Sequence, residues 1–492
     1  MHTPFFPSWR PLLAPLRSQR QSAARSLERA TLCQIEQRLA PALPQDLLDK
    51  PATGLHSRHR MFSLGRTFWC WIWQIFQSNT SCREVVRQLQ ALLGVLERAP
   101  IDEDSSAYCQ ARAKLSLPLL ERALAASHQS AQKQAPACPL LQGRAVKVVD
   151  ASSVRLEDTP QNRQAFPASK NQFSHPAFPL LKFLTVFSLA SGALLARATG
   201  TLQVAELRLL MSLGEHFKPG DIITGDRAYG LYVVLQWVRG LGADLVARLN
   251  TRSRHVDFRR ATKKLGPQDG LFLWKKPVAP SKLLSAEQWA AVPETMMVRI
   301  LRLRVQKPGF RTRDLTIVTT LLDAELYPAQ EILDVYFKRW RLEMCLDDLK
   351  TTLAMEKLNC RTPALVQKEL LVFFIAHNFL RWIMCQAAQA AAVKLERISF
   401  TGTLDAFRQW SIGFTQVRGP GKLAKQKRLW REFLRILAAD LLPERPGRQE
   451  PRAVKKKSKY PRLTKPRDRY VDRWSRNKRR RAQRAKKQAN LN

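Results

Sequence analysis

Between residues 27 and 135 the apolar positions recur at helical spacing. Leu27, Leu32, Ile35 and Leu39 share one face of a first predicted helix. Trp69 through Phe76 predict a second, and Val85, Leu89, Leu92, Leu93 and Leu96 a third. Ser105–Ala113, ahead of Leu115-Ser-Leu-Pro-Leu-Leu, opens a further helical hairpin. The aromatics Phe68, Trp69, Trp71, Trp73 and Phe76 would suit base stacking, but with no basic stripe beside them they are expected to face inward.

Near Arg144 the pattern changes. Ala145–Val149 reads as a buried strand ending in Asp150, and Leu181–Ala190 with Ala193–Thr199, joined through Ser191-Gly192, as a hairpin. Val204–Phe217 follows as a helix, Asp221–Gly225 as a short strand ending in Asp226, Tyr232–Leu241 as a helix and Asp244–Asn250 as a strand. Such alternation predicts an α/β domain. Residues 251–312 break it with basic residues and the strand-like runs Leu271–Trp274 and Met297–Val305, the expected content of a β-rich insertion. Asp314–Leu322 returns as a strand, Tyr327-Pro328 opens a long helix, and further helices fill Pro363–Val393 and about 403–440. The expected organisation is a loose arm (1–25), a helical N-terminal domain that binds DNA (26–140), an α/β domain with its insertion (141–400), a C-terminal helical region (401–443) and a basic tail (444–492), disordered until it meets a partner.

Charge narrows the class of partner. Over 492 residues, 82 Lys and Arg face 40 Asp and Glu, a formal charge of +42 that favours a polyanion, most commonly nucleic acid. Residues 445–492 contribute +17 of it, so the body stays strongly basic without them. In the insertion, Arg252, Arg254, Arg259, Arg260, Lys263 and Lys264 are equally readable as a phosphate-binding patch or as a solvated loop. The eight cysteines (33, 70, 82, 109, 138, 345, 360, 385) form no C-x-x-C pair and read as buried thiols of a reducing compartment. The first twenty residues carry prolines and arginines instead of a signal-peptide core, and Leu370–Val393 contains His377, Asn378 and Arg381. A cytoplasmic, nucleoid-associated protein with no membrane segment is therefore expected.

The long helix carries the candidate chemistry. At about 100° per residue, Tyr336, Arg339, Glu343 and Lys350 fall within roughly 60° of one another, beside a stripe of Leu342, Leu346, Leu349 and Leu353. A carboxylate bracketed by two cations suits holding a metal ion against a phosphate, which points to phosphodiester chemistry. Asp150 and Asp226, each closing an apolar strand, are expected in the crevice where open α/β sheets gather ligands. Three carboxylates suit Mg²⁺, and a pair of ions about 3.5–4 Å apart would stabilise both oxygens of an in-line displacement at phosphorus. Asp158 is a rival to Asp150 and Asp347 to Glu343, although a turn and a solvated helix face account for them as well.

Tyr336, Arg339, Glu343 and Lys350 fit the Tyr-x2-Arg-x3-Glu-x6-Lys signature of bacterial insertion-sequence family 4 transposases, DDE enzymes of RNase H-like fold, and the chain resembles that family over roughly residues 105–385. Val148–Asn162 resembles its first-aspartate segment, with Ala151-Ser152 where Gly-Thr is usual; Gly225–Gly230 resembles the second, and Val318–Asp323 is similar too. The resemblance implies an RNase H-like mixed sheet flanked by helices and interrupted by a β-rich domain. It implies Asp150, Asp226 and Glu343 as the catalytic, metal-binding triad for two Mg²⁺ (Mn²⁺ substituting), with Tyr336, Arg339 and Lys350 on DNA phosphates. It further implies a homodimer on double-stranded DNA, acting on transposon ends and target by cut-and-paste through a hairpin. An aromatic of the insertion would hold a flipped base; Trp274 and Trp289 are the candidates, with packing the better account of both. A non-cutting DNA-binding relative and a stand-alone nuclease are the alternatives.

Overall fold

A computed structural model describes residues 35–443 apart from 58–59, 96–100, 138–139, 168–177, 252–255, 305–313 and 416–422, together with Gln483. The chain forms two compact units. One takes the described residues up to Gln134 with Thr352–Ala354 and Leu371–Leu442; the other takes Ala135–Thr351 and Met355–Leu370.

The first unit is helical. Its early elements are α1 (Ile35–Leu39), α2 (Leu64–Phe76), α3 (Cys82–Val95), α4 (Ser106–Lys114) and α5 (Leu117–Lys133). Leu27 and Leu32 of the first predicted helix lie outside the described residues. Ser63 and Ser116 cap α2 and α5 by accepting the N–H groups of Arg66 and Leu119. α2 is buried almost all round, and its aromatics pack inward as the absence of a basic stripe predicted. The buried Arg112 guanidinium stacks over Trp71 at 4.1 Å and donates to Gln74 Oε1 at 3.3 Å and Cys82 Sγ at 2.9 Å. The cysteines depart from expectation here: Cys70, Cys345, Cys360 and Cys385 are buried, but Cys82 is half-buried and Cys109 exposed. A hydrogen bond from the Cys109 thiol is the largest influence holding the Cys82 thiol down at about 6.

The second unit is built on one nine-stranded mixed sheet. Its strands are β1 (Val146–Arg155), β2 (Leu180–Ser188), β3 (Leu194–Gly200), β4 (Ile222–Gly225), β5 (Asp244–Arg248), β6 (Lys263–Gly266), β7 (Asp269–Lys275), β8 (Thr295–Arg304) and β9 (Asp314–Thr319), in spatial order 3-2-1-4-5-9-8-7-6. Only the β1–β4 and β4–β5 pairs are parallel. α6 (Pro160–Ala165), α7 (Glu206–Met211), α8 (Tyr232–Gly240) and α9 (Ala286–Ala290) punctuate the strands. The stretch expected as a β-rich insertion holds β6–β8, and these extend the same sheet because β8 pairs along β9 from Arg299↔Thr319 to Arg304↔Asp314. Fully buried Arg299 secures this half, clasping Asp269 at 2.6 and 2.9 Å and donating to the carbonyls of Asp323 and Tyr327.

After β9 the predicted long helix is broken into α10 (Ala329–Lys338) and α11 (Trp340–Asp347), followed by a π-helical turn over Asp348–Thr352. Leu346, Leu349 and Leu353 are buried as the stripe required. α12 (Pro363–Ala391), α13 (Phe400–Thr415) and α14 (Leu423–Ala439) complete the chain's described helices. α12 is the one described helix long and apolar enough to cross a membrane, but 89% of its most apolar window is buried in the protein. Trp69 stacks on Phe379 of α12 at 5.7 Å, and Asn378 donates to Ser127 Oγ at 3.2 Å. It is a core helix.

Candidate active site

Asp150 does not end its strand. The parallel pairing of β1 with β4 stops at Val148↔Thr224, but β1 continues to Arg155 because β2 pairs with it throughout, including Asp150↔Thr185. The acid therefore sits just beyond the last parallel pair, in a strand that an antiparallel neighbour holds straight. Alternation puts Val149 and Ala151 against the core cluster and turns Asp150 and Ser152 to the opposite face. Asp150 Oδ1 accepts the Ala151 N–H at 2.9 Å.

Asp226 follows the last residue of β4, the strand beside β1. Its Oδ1 accepts the Ala228 N–H at 2.7 Å, an Asx-type turn that fixes the carboxylate as the chain leaves the sheet. Tyr229 folds its ring back over Gly225, where an added Cβ would lie 2.5 Å from the ring. Its hydroxyl donates to Glu206 Oε1 at the start of α7.

The signature helix brings its cations to the same place. Arg339 stacks over Tyr336 at 5.6 Å and pairs with Glu343 at 3.4 Å. Lys350, carried on the π turn, donates to Ser152 Oγ, two residues along β1 from Asp150. That exit is pinned to β1 by Leu358 N–H on the Arg155 carbonyl at 2.8 Å and Arg155 N–H on the Glu356 carbonyl at 3.3 Å. Tyr336 and Arg339 are largely buried, whereas Glu343 keeps 41% of its side chain exposed.

The electrostatics record how close these groups lie. Burial above all, with Glu206 and Asp226 adding to it, raises the Asp150 carboxyl to about 6 against the opposing Ala151 N–H and Arg339. Burial works against the Arg339 charge, yet Tyr336, Glu343 and Asp150 raise its pKa overall. Lys350 is lowered, chiefly by burial, with Asp150 among the acids that counter the effect. Asp150, Asp226, Arg339 and Glu343 thus share one neighbourhood. They do not form a finished ion site: among the described residues no group of three His, Cys, Asp or Glu is arranged to hold a metal. Glu343 is instead held by Arg339.

Asp158 is clasped by Arg163 in the turn that opens α6, and Asp347 is exposed. Trp274 is buried in the core cluster, and Trp289 lies under the Lys276 ammonium at 5.1 Å, so both pack as expected. Arg252 and Arg254 lie outside the described residues; Arg259 and Arg260 are exposed and flank Asp257. Glu206 was not singled out in the sequence, because an acid in the first turn of a short helix carries no distinguishing signal.

A model of the transposase DDE domain matches residues 141–379. The transposase InsG for insertion sequence element IS4 of Escherichia coli K12 is 25% identical over 410 residues, covering 82% of this chain and 88% of that protein. A probable transposase for insertion sequence element IS5377 of Geobacillus stearothermophilus is 35% identical over 88 residues, 18% of this chain and 22% of that one. Among solved structures, a piggyBac transposase synaptic complex with hairpin DNA aligns over 93% of this chain and 89% of its own at 9% identity, with a TM-score of 0.39 that is too low to match individual elements. Residues 141–379 thus match the transposase DDE domain, and over most of its length the chain is similar to a transposase of insertion sequence element IS4. It is an enzyme that cleaves phosphodiester bonds and transfers DNA strands, in a family that generally uses divalent metal ions.

Proposed function

We propose that the enzyme excises and inserts an insertion sequence by cut-and-paste, with Asp150, Asp226 and Glu343 as ligands of two Mg²⁺ and Tyr336, Arg339 and Lys350 as holders of DNA phosphates. The observation that carries this reading is the field shared by these side chains. Asp150 feels both Asp226 and Arg339, and Arg339 pairs with Glu343 at 3.4 Å. The donor set fits a hard divalent ion: oxygen ligands only, with Asp150 pushed up by burial and by carboxylates whose repulsion a cation would relieve. Bound there, the ions would lower the pKa of a water nucleophile and neutralise charge on the phosphoryl oxygens.

The chain's own residues do the rest. A guanidinium meets a phosphate better than it meets a single carboxylate, because two N–H bonds form in one plane. A DNA phosphate arriving at Arg339 therefore releases Glu343 to join the two aspartates, so that substrate completes the site. Lys350 on Ser152 and Tyr336 beneath Arg339 bring further donors to the same strand. Water opens one strand at the element's end. The freed 3′ hydroxyl attacks the opposite strand to give a hairpin, a second water reopens it, and the same hydroxyl joins target DNA. The enzyme works as a homodimer on paired ends, with the N-terminal helices reading the inverted repeat.

The test is strand cleavage of a duplex bearing the element's terminal repeat, with Mg²⁺, followed on denaturing gels. Asp150→Ala, Asp226→Ala and Glu343→Ala are each expected to abolish nicking and hairpin formation while DNA binding persists. Nicking that survives all three substitutions would overturn the site. Cleavage indifferent to the terminal repeat would favour a stand-alone nuclease.

A further inference from the structure

We propose that Cys82 and Cys109 form a peroxide-reactive pair, in which Cys82 is oxidised first and Cys109 closes a disulfide onto it. The pair belongs to the helical unit and makes no use of the acids of β1 and β4. Two adjoining helices build it. Cys82 is the first residue of α3, where backbone N–H groups favour an anion. Cys109 and Arg112 stand one turn apart on α4 and share a face. Arg112 donates to Cys82 Sγ at 2.9 Å, which brings that face of α4 onto the sulfur. The guanidinium is only 7% exposed and is held in place by the Trp71 ring at 4.1 Å and Gln74 Oε1 at 3.3 Å. Gln74 Nε2 lies 3.9 Å from the same sulfur, and the Tyr108 hydroxyl fixes Gln74 at 3.0 Å.

Cys82 is thus ringed by donors, as a thiolate requires. The Cys109 thiol donates to it as well, and this contact first, then Arg112 and Gln74, lowers its pKa against burial; Cys109 is raised in return. A thiol that only filled space would resemble Cys70 and Cys385, which burial pushes up to about 12 and about 11. Access also sets the pair apart, since Cys82 is half-buried and Cys109 exposed. The chemistry then runs in two steps. The Cys82 thiolate attacks one oxygen of a hydroperoxide, the O–O bond breaks, and the departing hydroxide takes up a proton as water, leaving a sulfenic acid. That neutralises the charge that had raised Cys109. The Cys109 sulfur attacks Cys82, the S–O bond breaks, and the second water leaves with the Cys109 proton. Two thiols lose two electrons, hydrogen peroxide becomes two waters, and a dithiol reverses the change.

The test uses the full-length chain, reduced and then treated with hydrogen peroxide at pH 7, blocked with N-ethylmaleimide and mapped by mass spectrometry. Peptides carrying Cys82 and Cys109 are expected to be joined, and dithiothreitol should separate them. Cys109→Ser should instead accumulate a Cys82 sulfenic acid, trapped by dimedone, because no thiol is left to resolve it. In the reduced wild-type chain, alkylation of Cys82 by iodoacetamide should rise with pH through a midpoint of about 6. Arg112→Gln, which removes the charge, should move that midpoint toward the ordinary value of about 8.5. A wild-type midpoint already at about 8.5 would overturn the inference, since Cys82 would be an ordinary thiol. So would a peroxide-treated wild-type chain in which the two cysteines stay reduced or pair with others.

Discussion

Asp150 carries a pH dependence that its position dictates. Its folded-state carboxyl lies at about 6, raised by burial and then by Glu206 and Asp226, against an unfolded value of about 3.9. The native state therefore binds this proton more tightly. The stability it contributes is complete below about pH 4 and is lost as pH rises through about 6. In metal-free protein, Asp150→Asn should be more stable than wild type above pH 7 by about 2–3 kcal/mol, and the difference should vanish near pH 4. Urea unfolding midpoints between pH 4 and 8 measure this, and parallel profiles would show a well-solvated carboxylate. At this scale the two aspartates were legible, because each follows a run of apolar strand residues. Glu206 and the Cys82–Cys109 contact were not, since both are made by residues distant in the chain.

Among the elements, the turn after β4 is the most constrained piece of backbone near the site. A methyl at Gly225 would sit 2.5 Å from the Tyr229 ring, and the ring cannot yield without leaving Glu206. Gly225→Ala should destabilise the protein by about 1–3 kcal/mol. Gly240, the last residue of α8, has nothing within 4 Å of its added methyl, so Gly240→Ala should be neutral or stabilising by up to about 1 kcal/mol. Thermal unfolding of the two variants compares them directly; equal midpoints would mean that the β4 turn is compliant. The signature helix teaches a related lesson. Its apolar stripe identified the helix but not the break at Arg339 or the π turn that carries Lys350 to Ser152 beside the end of β1, contacts that periodicity does not contain.

Across the whole molecule, charge governs how DNA is met. Of the formal +42, residues 445–492 supply +17, leaving a basic body. Each phosphate neutralised steepens the dependence of affinity on salt by about 0.9 in the log–log slope. Deleting residues 445–492 should therefore flatten that slope and lower affinity for any DNA, while preference for the terminal repeat is retained. Anisotropy titrations from 50 to 200 mM salt on repeat and scrambled duplexes separate the two effects. Loss of preference on deletion would assign end recognition to the tail.

By itself, the sequence determined the alternation of strands and helices, the inward aromatics of α2, the core character of α12 and the residues of the signature helix. Each of these follows from local periodicity, which records which side chains one element must bury. The tertiary structure alone decided that β1 runs on past Asp150, because its partner β2 lies some thirty residues away. It decided as well that β6–β8 join the main sheet, that Lys350 meets Ser152 of β1, and that Glu206 stands beside the aspartates. Strand partners and converging charges are set by long-range packing, and a linear pattern holds no record of them.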